Sequence, residues 1–531
     1  IAGLLGVSYD DLRQRELVRR NRRLMIIAVA SALGMAVTAT LAGMALLARD
    51  DAERRRLQAE GLVGFMLGDL YERLYEIGRV DIYNAIGDQA TAYFQSMEKD
   101  DLTDTALAQR SESLRQIGET RADQGQLDAA LEAFELALEL SEGVTTRQPD
   151  RIDWRLGLAE THYWIGYVGW RRGDLDVAAA GFEKQLQVQE AVLAGGAESA
   201  ELVREMGYAY TNLGRVEEGR GRFELALTHY LRVLELNQRY AQMDPDNADA
   251  LLEIGFANNN LGVLLMRMGR LETAEGYFRE DLAIKQKVAA NEPGNGLWGD
   301  YVSTSEYFLG QILENRGAVD EALEHHKAAE AGAGRLFEES RANDARARGF
   351  ANALRQTADL SMRIGEYGPA ATRLEEALAI LSSRRGDHQD DTRWLRDLAR
   401  AQIAAGRLAL MTGDLSLAET RSAEADAILL ELLALSPDSV EFQHAYMTGL
   451  LLQGDIKRAA GDETAAAWIW SQLAADMAVQ VTDSRDPEWL APYAGTLIRL
   501  GRTKEAVPYT ERLREMGYAR PGPELSLAGE P

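Results

Sequence analysis

The chain contains no cysteine. Disulfides, thiolate metal sites and a cysteine nucleophile are therefore excluded, whatever compartment the protein occupies. Histidine is scarce as well: there are six among 531 residues, and no HExxH pattern that would hold zinc on a helix. His325 and His326 are adjacent and so face different sides of any helix. No GxxxxGK loop is present, and the glycines are spread out rather than clustered around a phosphate. No metal and no cofactor are expected. Basic charge is short too. The formal net charge is −26, and residues 1–56, with ten Arg against six Asp and Glu, leave −30 on the remainder. Phosphate backbones need clustered Lys and Arg, so an acidic chain of this kind is not read as a nucleic-acid binder.

What the chain does have is a period. Gly125, Gly173, Gly221, Gly269, Gly317, Gly365, Gly413 and Gly461 stand 48 residues apart, each followed five residues later by an alanine, from Ala130 to Ala466. Seven residues before the glycine lies a small residue: Gly118, Gly166, Gly214, Gly262, Gly310, Ala358, Gly406 or Gly454. Four residues after the alanine comes an aromatic, at Phe134, Phe182, Tyr230, Phe278 and Trp470. His326, Leu374 and Ser422 replace it in three units, which predicts looser stacking there.

Within a unit, as in Leu251–Met268 and Thr273–Ala289, apolar residues fall at three- and four-residue intervals, so each segment reads as an amphipathic helix. The glycine suits the left-handed turn between the two helices, and the small residues let their axes approach. Pro149, Pro245, Pro293 and Pro437 fall in register in the connectors, often followed by an Asp or Asn that can cap the next helix. A pair of such helices cannot cover its own apolar stripes, so each must stack on the next.

The pattern resembles the tetratricopeptide repeat over about 103–518, with a unit of 48 residues where the family has about 34. The resemblance implies an all-α solenoid of helical hairpins, TPR-like, with eight to nine repeats. The ninth is shortened, at Leu490–Met516, where Gly501 and Ala506 keep the five-residue interval. The added length is read as roughly two extra turns in each helix.

Leu24 to Leu47 is free of charge over 24 residues, enough to cross a bilayer core of about 30 Å as one transmembrane helix. Gly34, Thr38 and Ala42 recur every four residues and could seat a homo-oligomer through this helix. Six arginines precede the span (13, 15, 19, 20, 22 and 23) and four follow it (49, 54, 55 and 56). That bias places the N-terminus in the cytoplasm of a bacterium and the repeats beyond the inner membrane. Residues 1–23 form a juxtamembrane segment, 24–47 the span, 48–102 a stalk or cap with a second helix at 82–97, and 519–531 a loose tail.

The chain starts at Ile1 rather than Met, which suggests the end of something longer. IAGLLGVSYDDLRQRE resembles the stretch that closes bacterial Toll/interleukin-1 receptor (TIR) domains before an arginine-rich linker. An ordinary juxtamembrane helix reads equally well. The resemblance implies a signalling or NAD-cleaving domain upstream, none of whose catalytic residues fall in this sequence.

In tetratricopeptide arrays the first helices of successive units line a concave groove that holds peptides. Carried to the matching positions, the resemblance points to Tyr163, Tyr167, Trp170, Tyr208, Thr211, Arg215, Asn259, Met266 and Tyr307 as the partner-binding groove. Rings packed between lengthened helices would look the same. Asn212 and Asn260 resemble the asparagine that grips a peptide backbone in carboxylate-binding members, but the lysines of that clamp are missing. The segment is read as a binding protein with no catalytic residues: a membrane receptor or scaffold for a protein or peptide. The alternatives are a cytoplasm-facing assembly scaffold and the targeting arm of an upstream enzyme.

Overall fold

Ten glycines among the described residues end a helix with φ between +70° and +86°: the eight phased ones, Gly501 and Gly517. At Gly269 the amide donates to the Met266 carbonyl (3.0 Å) and the Arg270 amide to the Leu265 carbonyl (2.8 Å). This closes the last turn through a left-handed residue, a conformation only glycine adopts without a Cβ clash. The computed structural model describes residues 9–67, 103–384, 386, 388, 391–437 and 439–521. Among these every regular element is α-helical.

Compactness divides the chain into two units, Ile1–Val188 and Gln189–Pro531. The first holds α1 (Tyr9–Leu67) and the hairpin α2 (Asp104–Asp123) with α3 (Leu127–Arg147). It also holds α4 (Ile152–Arg172) and most of α5 (Leu175–Ala194). The stretch Arg13–Asp51 of α1 holds an 18-residue window of mean hydropathy 2.2, no part of it buried, and is long and apolar enough to cross a membrane. The same helix runs on to Leu67 without a break. The helix expected at 82–97 lies outside the described residues, as do 1–8 of the TIR-like stretch.

The second unit continues the hairpins: α6 (Ala200–Gly219) and α7 (Phe223–Met243), α8 (Ala248–Arg267) and α9 (Leu271–Asn291), α10 (Gly296–Asn315) and α11 (Val319–Glu339). There follow α12 (Asp344–Arg363) and α13 (Tyr367–Ser383), then α14 (Thr392–Met411) and α15 (Leu415–Leu435). The last pairs are α16 (Val440–Ala459) with α17 (Glu463–Val481), and the short α18 (Pro487–Arg499) with α19 (Thr503–Glu515). Side chains cap the first helices as the connectors predict: Asn247 accepts from the Asp249 amide, Asn295 from Leu297, and Asp391 from Arg393 and Trp394.

The second glycine of the pattern has a specific partner. A Cβ at Gly118 would lie 2.5 Å from the Phe134 ring, at Gly262 2.6 Å from Phe278, and at Gly166 3.0 Å from Phe182. Gly214 with Tyr230 and Gly454 with Trp470 are at least as tight. The aromatic therefore rests on the bare backbone of its own hairpin. Its other face meets the next hairpin, as in the parallel stacks Phe134–Trp164 (5.7 Å) and Phe278–Phe308 (5.6 Å). Looser packing does not follow at 326 and 374, while at 422 the serine leaves Gly406 to Leu452 of the next hairpin. His326 is 1% exposed and sits as close to Gly310 as a phenyl ring would. Where Ala358 stands for the glycine, the smaller Leu374 stands for the ring, and both are buried.

In the second unit the ninth hairpin returns to the fourth and fifth. Arg267 of α8 lies 3.8 Å from Asp486, the cap of α18, and Gln311 of α10 donates to Glu488 (3.4 Å). Met516 covers Gly269. The first three residues of the segment expected to trail loosely are tied down: the Ala519 amide donates to the Asn315 carbonyl (2.7 Å), Arg520 to Glu314 (2.6 Å), and Arg363 to the Pro521 carbonyl (3.0 Å). Residues 522–531 lie outside the description. Hairpins four to nine thus close into a ring within this unit.

Two consequences are measurable. Alanine in place of a helical glycine ordinarily gains up to about 1 kcal/mol; here Gly262→Ala drives a methyl into Phe278 and lowers stability by about 1–3 kcal/mol. Adding Phe278→Leu, the natural pairing at 358 and 374, recovers most of the loss in a double-mutant cycle of melting curves. Additive effects would mean the two positions are not in contact. The second consequence concerns pH. Burial, then the nearby Glu488 charge, pushes the Asp486 carboxyl up to about 7, against the pull of the Glu488 amide and Arg267. A folded-state value above the unfolded one means that stability falls as pH rises from about 4 to about 7 and is level beyond. Asp486→Asn keeps the cap but not the titration, so its melting temperature gains on the parent across that window. A constant difference from pH 5 to pH 8 would disprove the assignment.

Candidate functional site

The ring encloses a cavity of about 220 Å³. Its walls are first helices, one from each of five successive hairpins: α10, α12, α14, α16 and α18. The repeat explains which residues point inward. Ten residues before the turn glycine stand Tyr307, Arg355, Ile403, Leu451 and Ala491, and all five line the cavity. Thirteen before it stand Arg400, Thr448 and Glu488; six before it stand Gln311, Asp359, Arg407 and Gly495. These also line it. Positions thirteen, ten and six residues before the turn differ by three and four, so they share one helical stripe.

The cavity is cationic inside an acidic protein. Arg355 donates to Asp359 (2.9 Å), which Arg407 also approaches (3.7 Å). Arg499 grips Asp455 with two parallel bonds (2.8 and 3.0 Å). Arg363 (3.5 Å) and Arg520 (2.6 Å) share Glu314, with His326 at 3.4 Å. Burial alone would raise the Glu314 carboxyl, but Arg520, His326 and Arg363 hold it well below the usual carboxylate range. Arg400 differs from all of these. It makes no ion pair with a carboxylate among the described residues, and burial, followed by repulsion from Arg355 and Arg396, lowers its guanidinium below the ordinary value. The neighbouring Asp397 is already taken by Arg348 (2.8 Å) and Arg396 (3.2 Å). Tyr307 accepts from Gln356 (3.2 Å), and burial pushes its hydroxyl up.

Of the nine residues picked from the sequence, Tyr307 alone lines the cavity. In the first unit Tyr163 and Tyr167 stack at 6.2 Å, Tyr163 meets Phe182 at 6.0 Å, and Trp170 is exposed. Arg171 donates to the Tyr167 hydroxyl (2.8 Å). In the second unit Tyr208 donates to Glu253 (2.7 Å), Thr211 turns its hydroxyl back to the Gly207 carbonyl (2.9 Å), and Arg215 is exposed. Asn259 is half-buried beside Asp281, and Met266 is buried in the core, 3.7 Å from Asn315. Asn212 and Asn260 are half-buried. The register was nevertheless informative. Tyr163, Thr211, Asn259 and Tyr307 occupy the ten-before row, Tyr208 the thirteen-before row, and Tyr167 and Arg215 the six-before row. Following those rows past Tyr307 leads straight to Arg355, Arg400 and Arg407; a search weighted to aromatic side chains stops short of them. No cluster of His, Asp and Glu that could hold a metal occurs among the described residues.

Comparison with known proteins agrees with the hairpin geometry. Two family models described as tetratricopeptide repeat match residues 259–290 and 112–143. No curated protein sequence matches. Among solved structures, the apo form of RapI is 13% identical with a TM-score of 0.46, over 75% of this chain and 99% of that one. The apo quorum sensor NprR from B. thuringiensis is 12% identical with a TM-score of 0.44, over 75% and 99%. Aspartyl phosphate phosphatase F from Bacillus subtilis is 10% identical with a TM-score of 0.43, over 81% and 98%. At 112–143 and 259–290 the chain thus matches the tetratricopeptide repeat, within an array whose own unit is 48 residues.

Proposed function

We propose that the protein is a membrane-anchored receptor or scaffold whose second unit takes hold of a protein or peptide partner. The observation that carries this reading is the convergence of first helices from five hairpins on one polar cavity. A space of about 220 Å³ admits a chain end or one or two side chains, not a length of extended peptide. The partner therefore inserts an extremity and rests its remainder on the rim. Tyr163, Tyr167 and Trp170 offer a further aromatic surface in the first unit.

Helix α1 supplies the tether. The arginine bias of its flanks sets the N-terminus inside and the hairpins outside the inner membrane. Gly34, Thr38 and Ala42 give the span a small-residue face on which two copies can meet. A TIR-type domain ahead of residue 1 would turn that clustering into a cytoplasmic output, while this segment acts by binding.

The test uses the full chain in a nonionic detergent as bait for a peptide library. Tyr307→Ala with Gln356→Ala abolishes capture and leaves helicity unchanged. Capture that survives this pair and is lost with Tyr163, Tyr167 and Trp170 all changed to Ala moves the site to the first unit. In intact spheroplasts added protease removes the hairpins; protection would place them in the cytoplasm, as an assembly scaffold.

A further inference from the structure

The phased turn glycines share one backbone geometry but not one environment. Six of the eight have nothing among the described residues within 4 Å of the place a Cβ would take. The other two, Gly269 and Gly317, are covered by Met516 and Ala519. A Cβ at Gly317 would lie 2.8 Å from the Ala519 carbonyl oxygen and 3.1 Å from its methyl. Three residues of returning chain thus step over one 48-residue unit. The next contact falls one hairpin further on, where Arg363 of α12 donates to the Pro521 carbonyl (3.0 Å). This segment is neither helix nor strand: α19 ends at Glu515, and Gly517 turns the chain at φ +77°. Beyond that turn it is held by main-chain groups and a guanidinium, the Ala519 amide on the Asn315 carbonyl (2.7 Å) and Arg520 on Glu314 (2.6 Å). Glu314 and Asn315 are buried, whereas Ala519 is exposed and Tyr518, Arg520 and Pro521 are half-buried. Tyr518 and Arg520 also form part of the cavity wall.

We infer that the turn ends of hairpins four to six form a docking track for an extended, arginine-bearing peptide, and that residues 518–521 occupy it in cis until a partner's segment displaces them. The inference rests on the cavity being the partner's site, and names the partner's chemistry and the step that admits it. An extended chain rises about 3.3 Å per residue, so three residues cover about 10 Å, the spacing of packed helices. The main-chain bonds to Asn315 and Arg363 hold any extended chain, and Glu314 selects the side chain. A guanidinium meets that buried carboxylate through a charge-assisted bond. Replacing one guanidinium by another leaves the charge of the cavity unchanged. During the exchange Glu314 keeps Arg363 (3.5 Å) and His326 (3.4 Å), so its carboxylate is not stranded.

The probe is a labelled peptide copying residues 516–521, blocked at both ends and added to the full chain in nonionic detergent. Arg520→Ala loosens the resident segment, so this variant binds the probe about tenfold or more tightly than the parent does, by fluorescence anisotropy. A probe with alanine in place of its arginine binds neither chain. In the parent, excess probe speeds hydrogen exchange at the Ala519 amide while α10 and α12 stay protected. Equal binding by Arg520→Ala and the parent, undiminished binding of the arginine-free probe, or exchange at Ala519 that excess probe does not move overturns the inference. Library capture that the probe blocks but that survives Tyr307→Ala with Gln356→Ala keeps the track and discards the cavity reading. Capture that this pair abolishes but that is indifferent to the probe discards the track alone.

Discussion

One contact, present in five of the eight 48-residue units, organises the hairpin array: an aromatic ring laid on a helix that has no side chain at that point. Dispersion falls off steeply with distance, so a ring flush against backbone gains more than one held off by a methyl. The glycine costs helix propensity of about 1 kcal/mol, and the seated ring offsets it. Because the ring's far side stacks on the next hairpin, at Phe134–Trp164 and Phe278–Phe308, the same contact also sets the step between units. A chain that repeats the contact repeats the step, and a repeated step with a constant bend becomes a curve. In the second unit the curve is tight enough for the ninth hairpin to meet the fourth and fifth.

Closure changes the electrostatics. On an open concave face the arginines at 355, 400 and 407 would be solvated, and their mutual repulsion would be worth little. Inside a ring they lose water, and each needs a carboxylate nearby. The structure supplies Asp359, Asp455 and Glu314 at short range to Arg355, Arg499, Arg363 and Arg520. It also seals the seam with Arg267 at Asp486 and Arg520 at Glu314. The net acidity of the chain therefore says nothing about the sign of its interior.

The hairpins, their turns and their caps were legible because each is written within one repeat: a glycine at φ near +70° at 269, an Asn or Asp before a first helix, an alanine with no exposed surface at 274. The register of one row could be read too, since Tyr163, Thr211, Asn259 and Tyr307 share it, but only Tyr307 of these lines the cavity. What could not be read was where along the array those rows meet. That depends on curvature accumulated over several units and on the shortened ninth unit, whose turn glycine follows the previous one by 40 residues rather than 48. The isolation of Arg400 was out of reach for the same reason. Whether a guanidinium has a partner is decided by residues from other hairpins, and Asp397, its neighbour in sequence, is spent on Arg348 and Arg396.

The choice of arginine at 400 bears on what the ring is for. Lysine would satisfy a structural need for positive charge, and once buried it could shed its proton and become neutral. Arginine cannot take that escape, since its pKa stays far above any physiological pH even when lowered. Here it is lowered, by burial and by Arg355 and Arg396, and the charge persists. A fold under selection for stability alone would place a carboxylate beside it, or an apolar residue in its place, as it does one row over with Ile403 and Leu451. At 400 the nearest carboxylate, Asp397, attracts the guanidinium but is ion-paired to Arg348 and Arg396. The ring therefore keeps a cation at the point where five first helices converge, held by the more distant charge of Asp397 and by no ion pair of its own among the described residues.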